Sequence, residues 1–89
     1  MNDVQSQLDA ALEETLRAGQ KMREAAEALQ VRRHEYETAN LRGRQQQIKR
    51  ARAALEAAQA AYEAAKRDVQ RLDDKAEEVV QAQIRAAYT

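Results

Sequence analysis

The chain has no cysteine, no proline, no tryptophan and no phenylalanine, and only two glycines in 89 residues. Without cysteine there is no disulfide, no thiolate nucleophile and no Cys-based zinc site. Without proline, and with only Gly19 and Gly43 as glycines, little punctuates a long helix and no Pro- or Gly-rich linker divides the chain. A single domain over residues 1–89 is therefore expected. No stretch approaches the roughly 18 apolar residues of a membrane span. The opening Met1-Asn2-Asp3-Val4-Gln5 lacks the basic-then-apolar pattern of a secretory signal peptide. The expected location is the cytoplasm or the interior of an assembled particle.

What is present is alanine and charge. The hydrophobic fraction is 44%, but 20 of those residues are Ala and only 14 are Leu, Ile or Val. Such a chain cannot build a thick globular core. Ala, Glu, Lys, Leu and Arg together make up 52 of the 89 residues, the composition of long helices and coiled coils. The formal net charge is zero, so the scarcity of large apolar residues does not imply disorder, which usually goes with high net charge.

A seven-residue repeat runs through both halves. With Leu8 at heptad position a, the a positions of the first half are Leu8, Thr15, Met22, Leu29 and Tyr36. Its d positions are Val4, Ala11, Ala18, Ala25, Arg32 and Ala39. After Gly43 a second frame begins, with Ile48, Leu55, Tyr62, Val69, Ala76 and Gln83 at a. Its d positions are Ala51, Ala58, Ala65, Leu72, Val79 and Ala86. Repeats sustained this long are a strong coiled-coil signal. The second frame starts two residues early, which fits neither a stutter nor a stammer. A turn explains the offset: Gly43 suits the left-handed residue that ends a helix. Asn2 with Gln5 resembles a capping box at the start of the first helix.

Folding about Gly43 and Arg44 tests this reading, because it pairs residues whose numbers sum to 87. The layers become Ala39–Ile48, Tyr36–Ala51, Leu29–Ala58, Ala25–Tyr62, Met22–Ala65, Ala18–Val69 and Thr15–Leu72, with Ala11–Ala76 and Leu8–Val79 toward the open end. Large meets small in most of them, as close packing requires. Arg32–Leu55 and Val4–Gln83 are the exceptions, and Arg32 is expected to lay its stem along the seam and reach water. On the g flank Glu14 falls opposite Lys75 and Lys21 opposite Asp68, and opposite charges there favour this register. The expected fold is all-α: a two-helix antiparallel coiled-coil hairpin with an Ala-rich seam and a turn near residues 40–45. Helix 1 is placed at about residues 3–41, the turn at 42–44 and helix 2 at about 45–87. Each helix should be roughly 60 Å long. At about 25 cal/mol per Å², so thin a seam does not offset chain entropy unaided, so burial in an oligomer or against a partner is expected.

Two surfaces stand out. Leu12 and Leu16, at e and b of the first helix, join Val80 and Ile84, at e and b of the second, in one apolar patch at the open end. The bland reading is a widened seam, since single surface leucines are common; the functional one is a docking face for another hairpin or protein. A face of Ala53, Ala57, Ala60 and Ala64 reads as helix-forming filler. The second surface is electrostatic. From Gln30 to Arg52 seven cations oppose only Glu35 and Glu37, a net of +5, and the rest of the chain carries −5. Folding gathers Arg42, Arg44, Lys49, Arg50 and Arg52 at the tip. Acids normally occupy the first turn of a helix, yet the second helix opens with Arg44, Lys49, Arg50 and Arg52, and its first acid is Glu56. The bland reading is a solvated tip that suppresses aggregation; the functional ones are an acidic protein partner or nucleic acid. Base-stacking aromatics are nearly absent there, with Tyr36 alone nearby, which ranks nucleic acid lower.

No catalytic constellation is found, and no enzyme activity, cofactor, metal or small-molecule substrate is expected. His34 is the only imidazole, and no Glu-x-x-His or His-x-x-x-His spacing accompanies it. Ser6 has no base beside it, and there is no Gly-rich phosphate loop. Asp73, Asp74, Glu77 and Glu78 read as a solvated acidic end rather than a cation site.

In size and architecture the chain resembles several groups of small helical hairpins. It is similar to the Trp-x-Gly family of small secreted hairpins, but the bend here reads Leu41-Arg42-Gly43 and Tyr62 is followed four residues later by Lys66 instead of an acid. It looks like the Rop-type RNA-binding hairpins in its small–large layers, and like type III secretion co-chaperones and small phage virion proteins in shape. No motif of these groups matches residue by residue. The functional expectation is a non-catalytic coiled-coil protein acting by protein–protein packing, as an adaptor or structural component of a larger assembly such as a virion or secretion complex. Its partner would be itself, as a dimer or higher oligomer, or another protein. The alternative is a small Rop-like nucleic-acid-binding regulator that uses the Arg-rich tip in a four-helix dimer.

Overall fold

A computed structural model of the protein describes residues 2–88, apart from the side chains of Asn2 and Val4. Two helices, α1 (Asn2–Arg42) and α2 (Gln45–Tyr88), are joined by Gly43 and Arg44 and pack along each other as an antiparallel hairpin. The molecule is all-α and measures 67 × 22 × 13 Å, with a radius of gyration of 20.0 Å. A compact chain of this length would have a radius of gyration of about 12 Å.

The turn is built as the sequence suggests. Gly43 sits at φ = 71°, the left-handed region that an L side chain resists. Its N–H donates to the carbonyls of Ala39 (3.1 Å) and Asn40 (3.2 Å), which closes the C-terminus of α1. The Arg44 carbonyl accepts from the Ile48 N–H at 3.0 Å, so Arg44 leads directly into α2 at Gln45. Asp3 in the first turn and Arg42 in the last suit the dipole of α1, whereas the first turn of α2 carries no acid. The proposed Asn2 cap and the Val4–Gln83 layer fall on side chains outside the description. Gln5 donates instead to the Asp9 carboxylate, at 3.2 Å.

Burial follows the heptads from the tip through the middle of the hairpin. Leu29, Ala39 and Leu72 are buried. Thr15, Ala18, Met22, Ala25 and Tyr36 on α1 are half-buried, as are Ile48, Ala51, Leu55, Ala58, Tyr62, Ala65 and Val69 on α2. Arg32 is exposed, and its guanidinium donates to both carboxylate oxygens of Glu35, at 3.0 and 2.8 Å.

The seam does not stay closed to the open end. Leu8, Ala11, Ala76, Val79, Gln83 and Ala86 are all exposed, although their heptad positions place them inside. Leu8 and Val79, and Ala11 and Ala76, do line one interhelical groove, which also takes in Thr15 and Leu72. The physical reason is volume. Ala11 against Ala76 leaves too little side chain to hold the helices together, and Gln83 at an a position keeps its amide in water.

The flanking charges also differ from expectation. Glu14 and Lys75 line one groove, and Lys21 and Asp68 another. Yet among the described residues the ion pairs lie within single helices: Glu13–Arg17 at 3.6 Å, Arg32–Glu35 at 2.8 Å and Asp68–Arg71 at 3.5 Å. Asp68 therefore answers Arg71, one turn along its own helix, and not Lys21. A same-helix partner is held near by the backbone, whereas a cross-helix pair must order two long exposed side chains for little gain.

Candidate functional site

The open end is where apolar side chains remain in water. The four patch residues lie on the exposed surface: Leu12 at 60%, Leu16 at 62%, Val80 at 51% and Ile84 at 44% of their full exposure. The opened seam adds Leu8 and Val79, which sequence reasoning had placed inside, and Tyr88 follows near the end of α2. Among the described residues, seven of the nine exposed large apolar ones therefore gather at one end, and the other two are Val31 and Leu41. Between α1 and α2 at this end runs a groove of about 490 Å³ whose walls include Leu8, Ala11, Val79 and Val80. Their heptad positions hid Leu8 and Val79, and a sequence feature beside them that departs from a large–small layer is Ala11–Ala76.

The same end carries eight exposed acids: Asp3, Asp9, Glu13, Glu14, Asp73, Asp74, Glu77 and Glu78. Glu13 is paired with Arg17, and Asp74 accepts from the Gln70 amide at 3.0 Å. Among the described residues no three His, Asp or Glu side chains converge as metal ligands.

The tip is the second surface. Arg42, Arg44, Lys49, Arg50 and Arg52 are all exposed there. Arg42 borders a shallow groove with His34, Glu35 and Thr38, and Thr38 returns its hydroxyl to the His34 carbonyl at 2.9 Å. Arg52 is engaged: its guanidinium donates to the Tyr36 hydroxyl at 3.3 Å and lies 5.9 Å from the ring centroid. This contact ties α1 to α2 just behind the turn. It also leaves Arg42, Arg44, Lys49 and Arg50 as the tip cations without that commitment.

The Tyr36 phenol is drawn below its ordinary value, first by a hydrogen bond from the Asn40 side chain and then by the hydrogen bond and charge of Arg52. A folded-state pKa below the unfolded value of 10.0 means that the folded chain sheds this proton first. Stability should then rise with pH across the interval between the two values. The tyrosinate absorbance of Tyr36, isolated by difference against Tyr36→Phe, should appear at lower pH in the wild type than in Asn40→Ala or Arg52→Gln. An onset that neither substitution moves would contradict the contact.

No helix among the described residues is long and apolar enough to cross a membrane. The chain matches no protein-family model, no curated protein and no solved structure.

Proposed function

We propose that the protein is a non-catalytic coiled-coil hairpin that works by protein–protein packing, as an adaptor or structural component of a larger assembly. One observation carries this reading. The chain exposes 7541 Å², against the roughly 5,300 Å² of a compact monomer of its mass. The excess is not evenly polar, because large apolar side chains collect at the open end. A patch of that kind, where only three of the described side chains are buried, is the usual mark of a surface completed by something else.

Light scattering across a concentration series, together with the apolar dye ANS, tests this without knowledge of the partner. If the chain stays at 10.1 kDa, the dye should fluoresce on the open patch, and Leu12→Glu with Ile84→Glu should remove most of the signal while far-UV helicity is kept. If the mass doubles, the same pair of substitutions should return it to the single-chain value. A chain of single-chain mass that binds no dye overturns the reading. So does a state that ignores the double substitution.

The tip favours a second reading, a nucleic-acid-binding regulator, through one observation: four exposed cations surround the acid-free first turn of α2. Low-salt gel shifts with single- and double-stranded DNA and RNA should then show a complex that the Arg42/Arg44/Arg50 triple Ala variant loses. An unshifted probe, or a shift the triple variant keeps, removes this reading.

A further inference from the structure

We infer that the open end receives a basic amphipathic helix from another protein, and not a second copy of this chain. The inference rests on the packing reading above and names the chemistry of the partner. It follows from what surrounds the apolar patch. Along each helix a heptad step of about 10.5 Å returns to the same column. One step toward the N-terminus from Leu16 lies Asp9, from Val80 lies Asp73 and from Ile84 lies Glu77, and all three acids are exposed. Toward the tip, the first cation on the Leu16 column, Arg23, comes one step away, that on the Val80 column, Lys66, two steps away, and that on the Ile84 column, Lys49, five steps away. Across the whole open end, residues 1–18 and 70–89, eight acids face four cations, a net of −4.

Each occupant can be judged against that field. Two copies meeting patch to patch would bring the Asp9, Asp73 and Glu77 columns of one near those of the other at two ends that each carry a net −4, and like charges across an interface oppose association. Head-to-tail packing would satisfy charge, because the tip is positive, but the tip offers only Leu41 and Val31 to a patch of at least six large apolar residues. A foreign helix with a leucine stripe and flanking lysines or arginines satisfies both conditions. Its apolar stripe covers Leu12, Leu16, Val80 and Ile84, and its cations meet Asp9, Asp73 and Glu77. A helix laid on an apolar face in this way is a common mode of peptide recognition.

The probe is a synthetic helix of about three heptads with Leu at a and d and Lys on the flanks, labelled for fluorescence anisotropy. Its control is the same helix with Glu in place of Lys. The full chain should bind the lysine helix at least about tenfold more tightly than the glutamate helix, and less tightly as salt rises. Leu12→Glu with Ile84→Glu adds two negative charges. Charge attraction alone predicts tighter binding of the lysine helix to this variant, whereas docking on the patch predicts a loss of about tenfold or more. Asp9→Asn with Glu77→Gln leaves the apolar residues intact and should weaken binding and flatten its salt dependence, which keeps the test valid if the first variant folds poorly. Equal binding of the two helices, or tighter binding to the Leu12/Ile84 variant, overturns the inference. A wild-type chain that ignores the lysine helix but dimerises through the patch, with the dimer lost in that variant, also overturns it and leaves the packing reading standing. Failure to bind either helix, to self-associate and to bind the dye would remove both.

Discussion

Leu29→Ala is expected to lower the thermal midpoint of the hairpin by on the order of 10–20 °C, read by far-UV circular dichroism. Leu29 is 7% exposed and is one of the three buried apolar side chains. The heptad register sets it opposite Ala58, a side chain too small to fill by itself the space a truncation leaves. Removing a buried leucine costs about 2–4 kcal/mol in lost transfer and residual cavity. For a chain of this size the whole stability is about 4–13 kcal/mol, and each kcal/mol moves the midpoint by about 4–8 °C. Leu41→Ala is the matched control. Leu41 is 89% exposed, so its truncation should stay within about 0.5 kcal/mol of wild type. A small effect at Leu29, or equal effects at the two leucines, would mean that the seam is not what holds the helices together.

The two glycines should respond to alanine with opposite signs. Gly43 is held at φ = 71°, and a Cβ built there meets nothing within 4 Å. The cost of Gly43→Ala is therefore backbone strain alone, about 1–2 kcal/mol destabilising. Gly19 lies inside α1, where a Cβ also meets nothing within 4 Å. There alanine restricts the unfolded chain and suits the helix, so Gly19→Ala should stabilise by about 0.5–1 kcal/mol. The two variants should differ by roughly 10 °C or more in midpoint, on either side of wild type. A neutral Gly43→Ala would mean that the connection is not left-handed at that residue. A destabilising Gly19→Ala would mean that another chain approaches the helix there.

The candidate sites were only partly legible beforehand. Leu12, Leu16, Val80 and Ile84, all four exposed, were visible as apolar residues off the a and d positions. Leu8 and Val79 were not, because their heptad positions belong to the seam. Whether two helices are still in contact at a given layer depends on the volumes that fill it, and Ala11 with Ala76 fills it poorly. At the tip, the cations were visible as a run of charge. The assignment of Arg52 to Tyr36 was not, because it joins residues sixteen apart and depends on how far α1 and α2 stand from each other behind the turn. The same limit explains the flanking charges. Sequence opposition suggested Lys21 with Asp68, but a carboxylate chooses the cation that its own backbone already holds close, and that was Arg71.

By itself the sequence determined the helices, the break between them and most of the partly buried stripe that runs from Thr15 and Leu72 to the tip. These follow from local physics: alanine-rich stretches without proline favour helix, a seven-residue period selects one face, and only glycine takes the left-handed turn at low cost. The tertiary structure alone decided where the seam stops closing and which of the tip cations is engaged. Those outcomes depend on distances between two helices, which no single-helix periodicity encodes. An exposed Leu8 and a half-buried Met22 occupy the same heptad position, and only the volume of the neighbouring layers separates them.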